Sequence, residues 1–243
     1  LAGNDIASAI TVATSGAVII DNTHPTMTPV SIVETGDGNA NDGDDITLSF
    51  TASEGIQTPT CTFTSGGQAM ADSSITVTEG DANAWTCVLD VDNGDTDGSV
   101  AFSIAFSDDA GNAGSTAVAV TDGTSVTIDN THPSVSTVTF ASGDYVNNAE
   151  DESPINVLIA TSGAEDGETV TATLNGADYT CDLTSNSCTA SISSAALKAL
   201  TDGTSYTFSV TVSDTAGNAA TANTDESFTY DVTAPTSTTA VES

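Results

Sequence analysis

Apolar and hydroxyl-bearing residues alternate along most of this chain. Ile46, Leu48 and Phe50 are spaced by Thr and Ser; Val100, Phe102, Ile104 and Phe106 keep the same rhythm, as do Tyr206, Phe208, Val210 and Val212. A period of two places each apolar set on one face of an extended strand, so these segments read as half-buried strands. Followed through the chain, the pattern predicts strands near 27–33, 45–53, 59–64, 74–79, 84–91, 99–107 and 117–129, then near 134–140, 154–160, 168–174, 177–183, 187–192, 205–213 and 226–232. Gly, Asp and Asn turns separate them. One helical candidate, Ser194 to Leu200, fits a crossover before the sixth strand of the second set. Two sets of seven short strands predict an all-β fold of tandem immunoglobulin-like β-sandwich domains.

A repeat sets the phase of these domains. Ile-Asp-Asn-Thr-His-Pro occurs at Ile20–Pro25 and at Ile128–Pro133, and Asn4 and Asn112 each precede the Asp of that phrase by 17 positions, an offset of 108 residues between copies. Ala216-Gly217-Asn218 and Tyr230 to Pro235 begin a third. The expected division is therefore residues 1–21 as terminal strand of a preceding or donated domain, 22–129 and 130–231 as complete domains, and 232–243 as the first strand of a following domain or a tail. On that phase the chain reads as a section of a longer beaded protein. The alternative is natural ends, with residues 1–21 donated as a strand to a neighbouring molecule.

Charge narrows the partners. One lysine, no arginine and 34 acidic residues give a formal net charge of −33. Nothing on such a surface neutralises phosphate, which argues against nucleic acid and anionic lipid. No stretch is long or apolar enough to span a bilayer. The carboxylates have almost no side-chain partners and call for dissolved or bound cations. Four cysteines fit an oxidising exterior, secreted or at a cell surface. Cys61 shares the phase of Phe63, and Cys87 that of Trp85 and Leu89, so a Cys61–Cys87 bridge between sheets is expected; Cys181 and Cys188 suit a local loop closure. Four buried free thiols are the alternative.

The run Leu200 to Asn218, with Tyr206-Thr207-Phe208-Ser209-Val210-Thr211-Val212 followed by Asp214-Thr215-Ala216-Gly217-Asn218, and then Tyr230-Asp231-Val232-Thr233-Ala234-Pro235, resembles the prokaryotic Ig-like repeats of very large surface adhesins. Similar domains occur in surface-layer proteins of marine archaea. The likeness is good over 194–235 and partial over 98–133, where Asp109-Ala110-Gly111-Asn112 and Asp129 to Pro133 keep the frame. It implies an extracellular stalk or lattice role with calcium at domain junctions.

Sandwich topology leads to the junctions independently. Loops between strands one and two and between five and six share the trailing end of a domain, beside the exit linker. In the first domain they hold Asp37, Asp42, Asp44 and Asp45, and Asp90, Asp92, Asp95 and Asp97. The leading end of the second domain brings Glu165, Asp166 and Glu168 with Asp214 and Asn218, and Asp129 lies in the linker. The repeat assigns Asp21, Asp108, Asp109 and Asn112, with Glu54 as a further candidate, to the seam before it, and Asp231 to a third. Bare charges about 4 Å apart repel by roughly 1 kcal/mol in water and several-fold more where solvent is restricted. Calcium, which takes six to eight oxygens in loose geometry, is the expected resident. The Asp90 run is no EF-hand, since its twelfth position is Ala101; solvated turn residues are the alternative there.

Enzymatic chemistry is not expected. His24 and His132 occupy the same place in separate repeats and read as linker packing or hydrogen-bonding groups, and no catalytic or phosphate-binding motif is present. The expected function is a structural repeat section of an extracellular assembly (surface layer, filament or adhesin stalk), with copies of itself or neighbouring Ig-like domains as partners. The alternative is an adhesive module binding a sugar or protein through the loop Thr35 to Asp45.

Overall fold

A computed structural model describes residues 20–36, 38–71 and 74–236. Residues 1–19 of the proposed terminal strand 1–21, Asp37 and the last residues, 237–243, lie outside the described residues. Two sandwiches follow one another. The first is built from β1 (Met27–Val33), β2 (Asn39–Ala40), β3 (Asp45–Ala52), β4 (Thr60–Ser65), β5 (Gln68–Ala69), β6 (Thr76–Glu79), β7 (Ala84–Asp90), β8 (Gly98–Ala105) and β9 (Thr127–Ile128). The second comprises β10 (Ser134–Phe140), β11 (Tyr145–Val146), β12 (Ile155–Ser162), β13 (Thr169–Leu174), β14 (Ala177–Asp182), β15 (Ser187–Ile192), the short helix α1 (Ser194–Leu197), β16 (Thr204–Thr207), β17 (Ser209–Thr211) and β18 (Ser227–Tyr230).

The strand order is immunoglobulin-like. One sheet of the first sandwich runs β1-β3-β7-β6, the A-B-E-D order, and the other runs β2-β9-β8-β4-β5, with β2 parallel to β9. In the second sandwich β10-β12-β15 form one sheet, while β11-β18-β16 and β14-β13-β17 form the other as the sixth strand passes from one partner to the next at Phe208. Apolar residues of both sheets meet in two separate cores, one drawn from Val30 to Ile128 and one from Val135 to Tyr230. Both disulfides form, and each crosses between sheets: Cys61 on β4 to Cys87 on β7, and Cys181 on β14 to Cys188 on β15.

The seventh strand of the first set is shorter than predicted. Only Thr127–Ile128 of 117–129 is strand, besides an isolated bridge of Ala117 to Ile104. A turn at Asp122-Gly123, with Gly123 at φ +80°, interrupts the run, and hydroxyls replace the ladder: Thr121 Oγ1 accepts from Val30 N–H and Thr124 Oγ1 from Ile32 N–H.

Candidate cation sites at the sandwich ends

Each leading end is built on the same loop, Asp-x-x-Gly-Asn. Asp108 is buried at 2% exposure, and its carboxylate accepts from Asn112 N–H at 2.7 Å and from Asn112 Nδ2 at 2.7 Å. Asp214, buried at 4%, repeats this with Asn218 at 2.8 and 3.0 Å. The glycine closes the turn with φ above +90° in both loops. Burial alone would raise the Asp108 carboxyl pKa; hydrogen bonds from the Asn112 side chain and from the N–H groups of Asn112, Gly111 and Ala110 outweigh it and hold the value below the ordinary one. The asparagine then reaches the linker: Asn112 Nδ2 donates to Asp21 O at 3.1 Å and Asn218 Nδ2 to Asp129 O at 2.8 Å. His24 Nδ1 lies 2.7 Å from Ala113 O and His132 Nδ1 2.9 Å from Ala219 O. A carbonyl only accepts, so Nδ1 carries the proton in both rings.

At the first leading end, Asp21, Glu54 and Asp108 each offer a carboxylate oxygen within 4.8 Å of the other two, the one such group of three among the described residues. Asp109 lies alongside, its Oδ2 facing Gly55. With the chain's only lysine tied to Glu152 by a 2.8 Å ion pair in the other sandwich, this donor set of hard oxygens lacks a cationic side chain. It suits a hard divalent ion. The second leading end differs in the loop after β12, which runs from 163 to 168 where the first sandwich has 53 to 59. There Glu165 accepts from Thr215 N–H at 3.0 Å, Asp166 turns away to Ser185 N–H at 2.7 Å, and Asn218 Oδ1 accepts from Asn41 Nδ2 of the first sandwich at 3.3 Å.

The trailing loops meet the linker as the topology requires, but the carboxylates of Asp42, Asp44, Asp95 and Asp97 are occupied by backbone donors. Asp95, 5% exposed, accepts from Ala71 N–H at 2.6 Å and Asp92 N–H at 3.0 Å, which makes it a loop anchor. Asp92 and Asp95 offer their main-chain oxygens to Asn130 Nδ2. Asp97 accepts from Asn130 N–H at 2.7 Å and from Thr131 Oγ1. Asp90 ends β7 opposite Asp45, exposed. Asp129 and Asp231 each accept from the N–H two residues on, Thr131 and Thr233. In the loop of 35–45, Asp44 caps Asn41 N–H, Asp42 accepts from Asn93 N–H, and Asn41 makes the contact to Asn218, so this loop belongs to the joint.

Two features escaped the sequence pattern. Asp202 accepts from Thr233 Oγ1 and Val232 N–H, and those bonds, the first above all, hold its carboxyl pKa below the ordinary value. Asp151 is buried at 2% exposure; Oδ2 accepts from Tyr230 OH at 2.6 Å, while Oδ1 finds no hydrogen-bond partner among the described residues. That bond, with burial and the nearby carboxylates, pushes the Tyr230 phenol up to about 12. The signal was a tyrosine where the first sandwich has Ile128, both paired with the short parallel strand.

The class these features define is an all-β chain of tandem immunoglobulin-like sandwiches joined by short, hydrogen-bonded linkers. No family model and no curated protein matches the chain. Among solved structures it is similar to a Ca2+-stabilized adhesin with which an Antarctic bacterium binds ice (23% identity over 84% of this chain, TM-score 0.48), and it spans about half, 49%, of that structure's length. It is also similar to a bacterial immunoglobulin-like domain of the M. primoryensis ice-binding adhesin (27% identity, 41% of this chain and 96% of that one, TM-score 0.30) and to an I-band fragment of titin (12% identity, 86% and 66%, TM-score 0.46). Among the described residues no helix is long and apolar enough to cross a membrane.

Proposed function

We propose that this chain is a structural repeat section of an extracellular surface assembly, a surface layer, filament or adhesin stalk, in which complete units 22–129 and 130–231 act as rigid beads. Its partners are neighbouring immunoglobulin-like units and further copies of itself. Calcium stiffens the joints: Asp21, Glu54 and Asp108, with Asp109 beside them, hold one ion at the first leading end, and the repeat assigns Asp129, Glu165 and Asp214 to a second ion at the next. The observation that carries this reading is the convergence of Glu54 and Asp108 on the linker residue Asp21 in a chain with a single lysine. A cation there relieves repulsion and ties the linker aspartate to the unit ahead.

Calorimetric titration with Ca2+ tests it. The wild-type chain is expected to take up the ion and gain thermal stability, because a ligand that binds only the folded state stabilises it by mass action. Asp108→Asn should lose one site, and chelation should shorten the maximum dimension measured by X-ray scattering. Absence of uptake, with scattering unchanged by chelator, would remove calcium from the mechanism.

A further inference from the structure

The two trailing ends reach one contact from different loops. In the first sandwich an Asp-rich turn joins β7 to β8 and delivers Asp97; in the second, β15 leads through α1 and a turn that delivers Asp202 to the start of β16. These loops differ in length and secondary structure. Yet Asp97 receives the N–H of Asn130 and the hydroxyl of Thr131, while Asp202 receives the N–H of Val232 and the hydroxyl of Thr233. Both linkers are gripped at the first and second residues after their aspartate, Asp129 or Asp231. A glycine with positive φ follows each gripping residue, Gly98 at +136° and Gly203 at +73°. Gly98 packs where a Cβ would lie 2.9 Å from Gly66 Cα, and Gly203 N–H donates to Tyr230 O at 2.7 Å.

We propose that Asp97 and Asp202 are the positioning residues of the joints, each fixing from the unit behind the direction in which the linker aspartate is delivered to the unit ahead. A planar carboxylate bound to two successive residues removes the rotations that a linker would otherwise keep. The joint therefore has two halves. Asn218, through Asp129 O, and His132, through Ala219 O, hold the linker to the second sandwich; Asp97, with Asn130 bonded to Asp92 O and Asp95 O, holds it to the first. The inference rests on the reading of the chain as a rod of linked units, but it requires no ion in the Asp97 half.

Residual dipolar couplings measured on the whole chain test it. In calcium, one alignment tensor should fit both sandwiches of the wild type. Asp97→Ala should split it into two different tensors, while Ca2+ uptake at the first leading end and the melting of each sandwich stay unchanged. Thr131→Val, which keeps Asp97 and removes one of the two bonds, should give a smaller divergence in the same direction. A single tensor retained in Asp97→Ala, or no divergence in Thr131→Val, would overturn the inference. Calcium's role separates cleanly: a wild type that takes up no ion on titration and keeps one tensor in chelator defeats the calcium reading, whatever the Asp97 variant does.

Discussion

The two sandwiches fill the same central space with different chemistry. Cys87 pairs with Leu48 in the first sandwich as Ala190 pairs with Val157 in the second, and Cys61 pairs with Ile104 as Ala172 pairs with Val210. The position of the first inter-sheet disulfide is therefore held by two alanines in the second. Aromatic rings make up the volume. Phe140 stands where the first sandwich has Ile32, and Phe228 where it has Val126; the two rings stack with centroids 4.6 Å apart, and Phe208 joins them at 5.3 and 5.9 Å. A second exchange lies near the leading end, where Phe106 and Gly114 face each other in one unit and Val212 and Ala220 in the other. Total volume and inward phase specify the sandwich, while the identity of the filling is free to change.

Spectroscopy can follow each unit separately, because Trp85 is the only tryptophan and all four tyrosines lie beyond residue 130. The largest effect is expected from Phe140→Ala, which should cost the second sandwich about 3–5 kcal/mol in denaturant titrations followed by tyrosine. A loss confined to the tryptophan transition would break the assignment of that ring to the second core. Next, the double substitution Cys61→Ala with Cys87→Ala should destabilise the first sandwich by about 2–4 kcal/mol, and the Cys181/Cys188 equivalent should cost about 1 kcal/mol less, since its closed loop spans 7 residues against 26. Equal losses would show that loop entropy is not what separates the two bridges.

Smaller and sharper is the exchange at Gly114. A Cβ there would lie 2.2 Å from the Phe106 ring, so Gly114→Ala should cost about 1–3 kcal/mol, and adding Phe106→Val, the pairing of the second sandwich, should restore part of that loss. Failure of the rescue would mean that Pro25 O, 2.8 Å from the same Cβ, sets the limit instead.

The smallest effects are ionic, and they fall at opposite ends of the pH scale. Tyr230 is raised from an ordinary value of 10.0 to about 12, so its contribution is complete below pH 10 and lost as pH rises through about 12. Melting of the second sandwich should fall across that window, and Tyr230→Phe should abolish the fall. Asp108 and Asp202 are lowered from 3.8, so their contribution is present above that value and lost as pH drops through the folded value. Asparagine at either position should flatten the acid limb of the melting profile.

Period-two alternation made the strands, the inward cysteines and the two cores legible. Repetition of Ile-Asp-Asn-Thr-His-Pro located the joints, and the two-ended geometry of a sandwich brought acidic loops to them. What stayed hidden depends on loops. The roles of Asp97 and Asp202 arise from turns of unlike length and leave no shared spacing. Asp95 has the composition of a solvated turn but is buried, because the Ala71 N–H gives it a partner that only the folded chain supplies. The missing fourth strand of the sheet β10-β12-β15 follows from a tight hairpin, Ser185-Asn186 at positive φ, that carries β14 directly into β15 where the first sandwich inserts β6.

Crystals grown in calcium and measured for anomalous scattering address the joint most directly. Density for an ion bound by oxygens of Asp21, Glu54 and Asp108 is the predicted result; three carboxylates turned to solvent around no ion would contradict it.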